Sequence, residues 1–330
     1  MNKRALKDFI KNVLYRMTEW KISVKEFYSN RKRRRDRKIR LERTLLLTSH
    51  SIEKGMGLRD FQPGHSVRGV QGLLDRLNEY YRKGYDCDCF AFKEGLTAVR
   101  EYIACQESFG IPKENLEGIE TGYRKLVSAL PEKVVSDAET YRCRAVESDY
   151  SQIADLSFEF EKFVRSRHSV RMFGSNPVAE DTVRKAVTLA NYAPSACNRQ
   201  ANKVYFTNSA EKAEIISALI TGNKGFENEI RNFILVTSSR AMFAGEEQFQ
   251  WYIGGGIYLE SLILSLHSLG VATCIMQWRA FYKTEKQLKK ICGISSEEAI
   301  IAVVGLGEYE ERTKTLAAQR MTCRDNLFLI

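Results

Sequence analysis

Four short runs in the second half of the chain set the tightest limit on its fold. They are Lys203-Val204-Tyr205-Phe206-Thr207, Phe233-Ile234-Leu235-Val236-Thr237, residues 271–277 and residues 299–305. Each has the length and the β-branched, aliphatic or aromatic content of a strand. Helical patterns fall between and before them, at 155–166, 178–191, 210–221 and 246–269. The last stops at Gly270, where glycine takes the left-handed conformation that closes a helix. This order predicts an α+β fold in which a central mixed or antiparallel sheet is flanked by helices.

The first half reads differently. Residues 37–54, 67–83, 90–108 and 113–130 carry apolar residues at helical spacing, with breaks at Gly84, Gly110-Ile111-Pro112 and Pro131. No clear strand occurs there. The expected division is a helical extension over 1–150 and an α+β domain over 151–330.

The net charge of +10 is concentrated at one end. Residues 1–30 hold seven Lys/Arg against three Asp/Glu, and residues 31–43 hold nine against two. The first 43 residues therefore carry +11 and the rest of the chain −1. Attraction to phosphate polymers or anionic lipid belongs to that arm alone. Residues 4–28 place Leu6, Phe9, Ile10, Val13, Leu14, Met17 and Trp20 at helical spacing. Such a helix can lie on an anionic membrane or pack on protein, and both readings stand. Residues 31–43 contain no aromatic side chain for base stacking, which argues against nucleic acid as a partner. No apolar run is long enough to span a membrane, and charged residues interrupt the N-terminus where a secretory signal would be apolar. The expected location is cytoplasmic, with the arm able to reach an inner membrane face.

The 8 cysteines include no Cys-x-x-Cys, and the chain has only 4 histidines. Reduced thiols and no metal site are expected.

Three segments carry chemistry. Arg165-Ser166-Arg167-His168-Ser169-Val170-Arg171 ends a helix with three guanidinium groups and two hydroxyls, donors suited to phosphate oxygens. A solvated basic helix end would have the same composition. Asn191-Tyr192-Ala193-Pro194-Ser195-Ala196-Cys197-Asn198-Arg199-Gln200 joins a helix to a strand. Its small residues allow close backbone approach to a flat ligand, and its amides suit a heterocycle edge. A simple turn is the alternative. Gly254-Gly255-Gly256 opens the long apolar helix without a phosphate-loop spacing, and close helix–helix or subunit packing is its better reading.

Taken together, Arg167-His168-Ser169-Val170-Arg171-Met172-Phe173, the Ala193–Gln200 segment, Leu269-Gly270-Val271-Ala272-Thr273-Cys274, Val303-Val304-Gly305-Leu306-Gly307 and Arg320 resemble the ordered motifs of the nitroreductase family. The resemblance spans about 175 residues. It implies a homodimer with FMN at the subunit interface. It implies that Arg167 and Ser169, within the Arg167-His168-Ser169 stretch, hold the phosphate and ribityl end. Arg171 would approach the ribityl chain or the N1/O2 edge. Pro194, Ser195, Ala196 and Asn198 would pack on the flavin from the partner subunit. Backbone around Met276 and Gln277 would approach N5, and Arg320 would return to the phosphate. NAD(P)H would be the reductant, and the second substrate a small nitro, quinone or other aromatic compound. No catalytic side chain is implied. The alternative is a non-turnover flavoprotein or scaffold, tethered to membrane or a partner by its basic arm. The family's usual Pro-Trp after Asn-x-Gln is replaced here by Ala201-Asn202, which alters one wall of the pocket. Thr221-Gly222-Asn223-Lys224 is a looser match to a ring-contacting segment. His50, Glu53, Lys54 and His65 either line the substrate side or serve local capping and ion pairing.

Overall fold

A computed structural model describes residues 37–56, 64, 66–110, 116–141, 157–244, 247, 249–278, 282–310, 315, 320 and 322–330, besides Met17, Trp20 and Val24. Nearly all of the 4–28 segment, most of the basic run and His65 lie outside these residues. The chain divides into two compact units. The helical unit comprises Met1–Ser151, Pro194–Ala201 and Ser239–Gly254. The sheet unit comprises Gln152–Ala193, Asn202–Ser238 and Gly255–Ile330.

Within the helical unit lie α1 (Arg37–Met56), α2 (Val67–Arg82), α3 (Phe90–Ser108), α4 (Glu117–Ser128) and α5 (Glu132–Thr140). The first four match the apolar periodicity of the sequence. The fifth begins immediately after Pro131, which serves as its N-cap. α3 is the central helix, and every residue from Ala91 to Val99 on it is buried. α2 comes close to both α3 and α4 because it meets a glycine on each. A Cβ on Gly95 would stand 3.0 Å from Leu77 Cδ2, and one on Gly122 would stand 2.8 Å from Leu74 Cδ2. Leu45, Leu73, Leu77, Tyr80, Phe92, Leu96 and Val99 fill the core between them. Burial of each such side chain contributes roughly 1.5–3 kcal/mol.

The sheet unit contains α6 (Ser157–Ser166), α7 (Glu180–Ala190), β1 (Asn202–Thr207), α8 (Ala210–Leu219), β2 (Asn232–Ser239), most of α9 (Gln250–Ser268), β3 (Val271–Met276), α10 (Tyr282–Ile291), β4 (Glu298–Glu308) and α11 (Cys323–Asn326). The strand order is β1-β2-β4-β3. β1 pairs antiparallel with β2, and β3 with β4. Asn232, at the start of β2, donates to Leu306 O near the end of β4, while Thr237 meets Glu298 at its beginning. Those two strands therefore also run in opposite directions, and the sheet is antiparallel. β2 is buried from Asn232 to Ser238, which is why its sequence is a continuous apolar run rather than an alternation.

The three glycines lie inside α9, which starts at Gln250, and not at its entry. Gly255 is the packing point: a Cβ there would stand 2.6 Å from Ile301 Cγ1. The contact is thus with strand β4 of the same chain rather than with a helix or a second subunit, and a Cβ on Gly254 or Gly256 would meet nothing within 4 Å.

Candidate functional site

The arginine-serine segment joins the edge of the sheet. β3 is an edge strand, and Ser169 bridges Thr273 in the parallel sense while Val170 N donates to Thr273 O at 2.9 Å. Alternation then sorts the side chains. Val170 is fully buried, whereas Ser169 is half-buried and Arg171 exposed. Phe173 anchors the far end. It sits where Gly307 has no side chain, since a Cβ there would meet Phe173 Cβ at 2.7 Å. Gly174 N donates to Glu308 O at 3.0 Å. Backbone pairing and two apolar anchors thus fix three polar side chains in order along one edge.

Arg165 pairs with Glu161 at 2.8 Å, but the other two arginines of the segment are uncompensated. Among the described residues, neither Arg167 nor Arg171 has a carboxylate within ion-pair distance, although many other cations of the chain do. Arg171 instead stands over the Phe226 ring at 5.9 Å, and its Nη1 reaches Ser169 O at 3.5 Å. The consequences show in neighbouring groups. Burial pushes the Cys274 thiol up, and Arg171 pulls it back. Burial lowers the His267 imidazole below its ordinary value, and the charges of Arg167 and His168 add to that.

His267 ties the start of the segment to α9. The single Ser166 hydroxyl proton goes to Phe163 O at 2.7 Å, so His267 Nε2, 2.8 Å away, is the donor to Ser166 Oγ. His267 Nδ1 then accepts from the Tyr309 hydroxyl at 2.9 Å. The ring also packs on Phe163, with centroids 4.9 Å apart. Neutral imidazole is the form this pair of contacts requires, in keeping with its lowered pKa.

Met276 and Gln277 end β3 in the same unit. Met276 is buried and Gln277 exposed. Gln277 O accepts from Thr221 Oγ1 at 3.1 Å. Gly222 lies against the same residue, and a Cβ on it would stand 2.7 Å from Gln277 N. The structure therefore brings the Thr221-Gly222 segment to the end of β3. Asn223 turns away, donating its amide to Ser217 O and Oγ. A cleft of about 650 Å³ is lined by α8 and by Asn223, Lys224, Glu227, Asn228, Ile230 and Arg231.

Pro194, Ser195, Ala196 and Asn198 belong to the helical unit. Ala196–Asn198 forms a 3-10 turn in which Cys197, Asn198 and, just beyond it, Gln200 have φ of 51°, 49° and 46°. Left-handed backbone is costly for side chains other than glycine, least so for Asn, and persists only where the surroundings enforce it. Gln200 N donates to Ser195 Oγ at 3.2 Å, and Gln200 Nε2 to Asn198 Oδ1 at 3.1 Å. Between them Arg199 is buried, only 2% exposed. Its guanidinium forms a fork with Glu247, at 2.9 Å from Nη1 and 2.5 Å from Nη2. No pattern in the residues announces this pair, because Glu247 lies 48 residues away in a turn without a motif.

Arg320 is exposed in the C-terminal segment. His50 Nδ1 lies 3.6 Å from Glu53 Oε2, one turn along α1, which favours local ion pairing for that cluster. The seven described cysteines are free thiols. No helix of the described residues is long and apolar enough to cross a membrane.

An antiparallel sheet flanked by helices, with Arg167 and Arg171 set along one edge, defines an α+β domain. Known proteins narrow the class further. The sequence model of the Nitroreductase family matches residues 164–308, from the end of α6 to the end of β4. Residues 164–308, less than half of the chain, thus resemble the nitroreductase family. Solved structures similar to it include an FMN-dependent nitroreductase from Clostridium difficile R20291, with 18% identity over 50% of this chain and 96% of that one (TM-score 0.43). A nitroreductase family protein from Streptococcus pneumoniae TIGR4 shares 17% identity over 52% and 100% (TM-score 0.44). One from Clostridium novyi NT shares 18% over 46% and 86% (TM-score 0.41). No curated protein matches the chain.

Proposed function

We propose that the domain binds FMN and acts as an NAD(P)H-dependent oxidoreductase on a small, oxidised aromatic substrate. The observation that carries this reading is the uncompensated pair Arg167 and Arg171, with Ser169 between them, along the edge of β3. The donor set fits the group: guanidinium and hydroxyl donors match a phosphate and a ribityl chain. FMN, when bound, supplies hydride acceptance from the nicotinamide and hydride donation to the substrate.

The protein's own part is binding, orientation and charge. Arg167, assisted by His168 and Ser169, would hold the phosphate end. Arg171 would place positive charge beside the ring system and so favour its taking up electrons. Backbone at Met276 and Gln277 would face the reactive edge, kept in place by Thr221 and Gly222. Arg320 would add a second cation to the phosphate. Pro194, Ser195, Ala196 and Asn198 of a second copy would cover the ring, which makes the functional form a homodimer. Alternate binding of nicotinamide and substrate over one ring gives ping-pong kinetics and needs no side-chain acid or base. We read residues 1–150 as an extension of this domain.

Purified protein should be yellow or take up one FMN per chain, and NADPH or NADH should bleach the visible absorbance. Colourless protein that binds no added FMN would reject the proposal.

A further inference from the structure

The buried Arg199 gives the helical unit a task. All three nitrogens of its guanidinium donate, through four of the five N–H groups. Nε donates to Ala196 O at 2.9 Å, inside the turn itself. Nη1 donates to Met242 O at 2.7 Å and to Glu247 Oε2, and Nη2 to Glu247 Oε1. The plane also stacks on Phe243, 4.6 Å from centroid. Glu247 is fixed in turn. Its Oε2 accepts from Ala244 N at 2.7 Å, and the Arg199 fork holds its carboxyl below the usual range.

This network reaches α1. The helix packs on both the Ala196–Asn198 turn and the Arg240–Met242 turn. Arg43 on α1 donates from Nη1 to Phe243 O at 3.3 Å, and its charge adds to the field on Glu247. A turn with three left-handed side-chain-bearing residues is thus gripped from inside by Arg199 and backed by a helix from the first 60 residues.

We propose that α1 is a built-in brace of the 195–200 turn, acting through Arg43 and the Glu247–Arg199 fork. Arg199, Glu247 and Arg43 are positioning residues. Resting on the flavin reading given above, the brace is what presents Ser195, Ala196 and Asn198 to the cofactor. The helical extension is therefore part of the cofactor site's construction rather than a separate appendage.

The test uses full-length protein and two readouts. Amide exchange in the protein without added FMN reports the turn directly, because the amides of 198, 199 and 200 are hydrogen-bonded within it. Exchange there should accelerate at least tenfold in Arg199→Met and Glu247→Gln, and by a smaller factor in Arg43→Met. Arg199→Lys should fail to restore protection, since an ammonium cannot form the fork; Arg43→Lys should restore it. Arg100→Met is the control. It removes bonds to Ala138 O, Tyr141 O and Glu101 elsewhere in the helical unit and should leave the turn unchanged. Exchange within twofold of the parent in Glu247→Gln and Arg43→Met overturns the brace, even if Arg199→Met does not fold. FMN titration by fluorescence quenching is the second readout. The dissociation constant should rise tenfold or more wherever the turn loosens. A loosened turn with unchanged FMN affinity overturns the link to the cofactor. A parent that binds no FMN at all defeats the flavin reading alone, and the brace is then decided by exchange.

Discussion

Glu94 should make the protein less stable as pH rises, and Glu94→Gln should remove that effect. The residue lies in the middle of α3, in the stretch buried from Ala91 to Val99, and is itself 7% exposed. Burial, with the Glu53 carboxylate adding to it, pushes its carboxyl up from an ordinary 4.5 to about 7. A raised carboxyl pKa means that the unfolded chain releases the proton first. Below about 4.5 the carboxyl is protonated in both states and costs nothing. Between 4.5 and 7 the unfolded state gains from ionisation and stability falls. Above 7 the full penalty is present, about 3 kcal/mol, since each pH unit between the two pKa values is worth about 1.4 kcal/mol. Gln keeps the shape of the neutral acid and cannot ionise. Urea unfolding of parent and variant should give equal midpoints at about pH 4, and a variant more stable by up to about 3 kcal/mol at about pH 8. Other carboxylates titrate in both proteins and cancel in the difference. A difference that stays flat across that pH range would show that the carboxyl has a partner or access to water, and would refute the reasoning.

Replacing Arg167 or Arg171 by Met should weaken FMN binding roughly 10- to 100-fold each, the value of a charge-assisted hydrogen bond of about 1.5–3 kcal/mol; equilibrium titration checks it. Gly222→Ala, at φ +101° and with its Cβ 2.7 Å from Gln277 N, should destabilise the fold by about 1–3 kcal/mol, read by thermal melting. It should also slow reduction by the nicotinamide, because the end of β3 must shift. Leu77→Ala, at a fully buried position between α2 and α3, should cost about 2–5 kcal/mol in urea unfolding.

Much of the secondary structure is legible in the residues. Their patterns place strands at 203–207, 233–237, 271–277 and 299–305, and β1 to β4 occupy those places with ends shifted by a few residues. Besides the single turn Cys323–Asn326, the helices that the patterns miss, Glu132–Thr140 and Tyr282–Ile291, are short. One is hidden behind Pro131 and the other carries more charge than apolar face. The Asn198 and Gln200 amides, which by residue type suit a heterocycle edge, bond to each other. Such a contact between neighbours depends on a left-handed backbone that residue type does not announce.

By itself, then, the sequence determined the elements and their class, because helix and strand periodicity and turn chemistry act between residues a few positions apart. It also determined where cationic and hydroxyl donors cluster. Only the tertiary structure decided what those donors face. The edge pairing of Ser169 with Thr273 and the latch of Ser166 on His267, 101 residues away, arise from packing. So do the closure of Gly222 on Gln277 and the burial of Arg199 against Glu247. Contacts of that range are set by which faces meet in the core, and no local pattern along the chain encodes them.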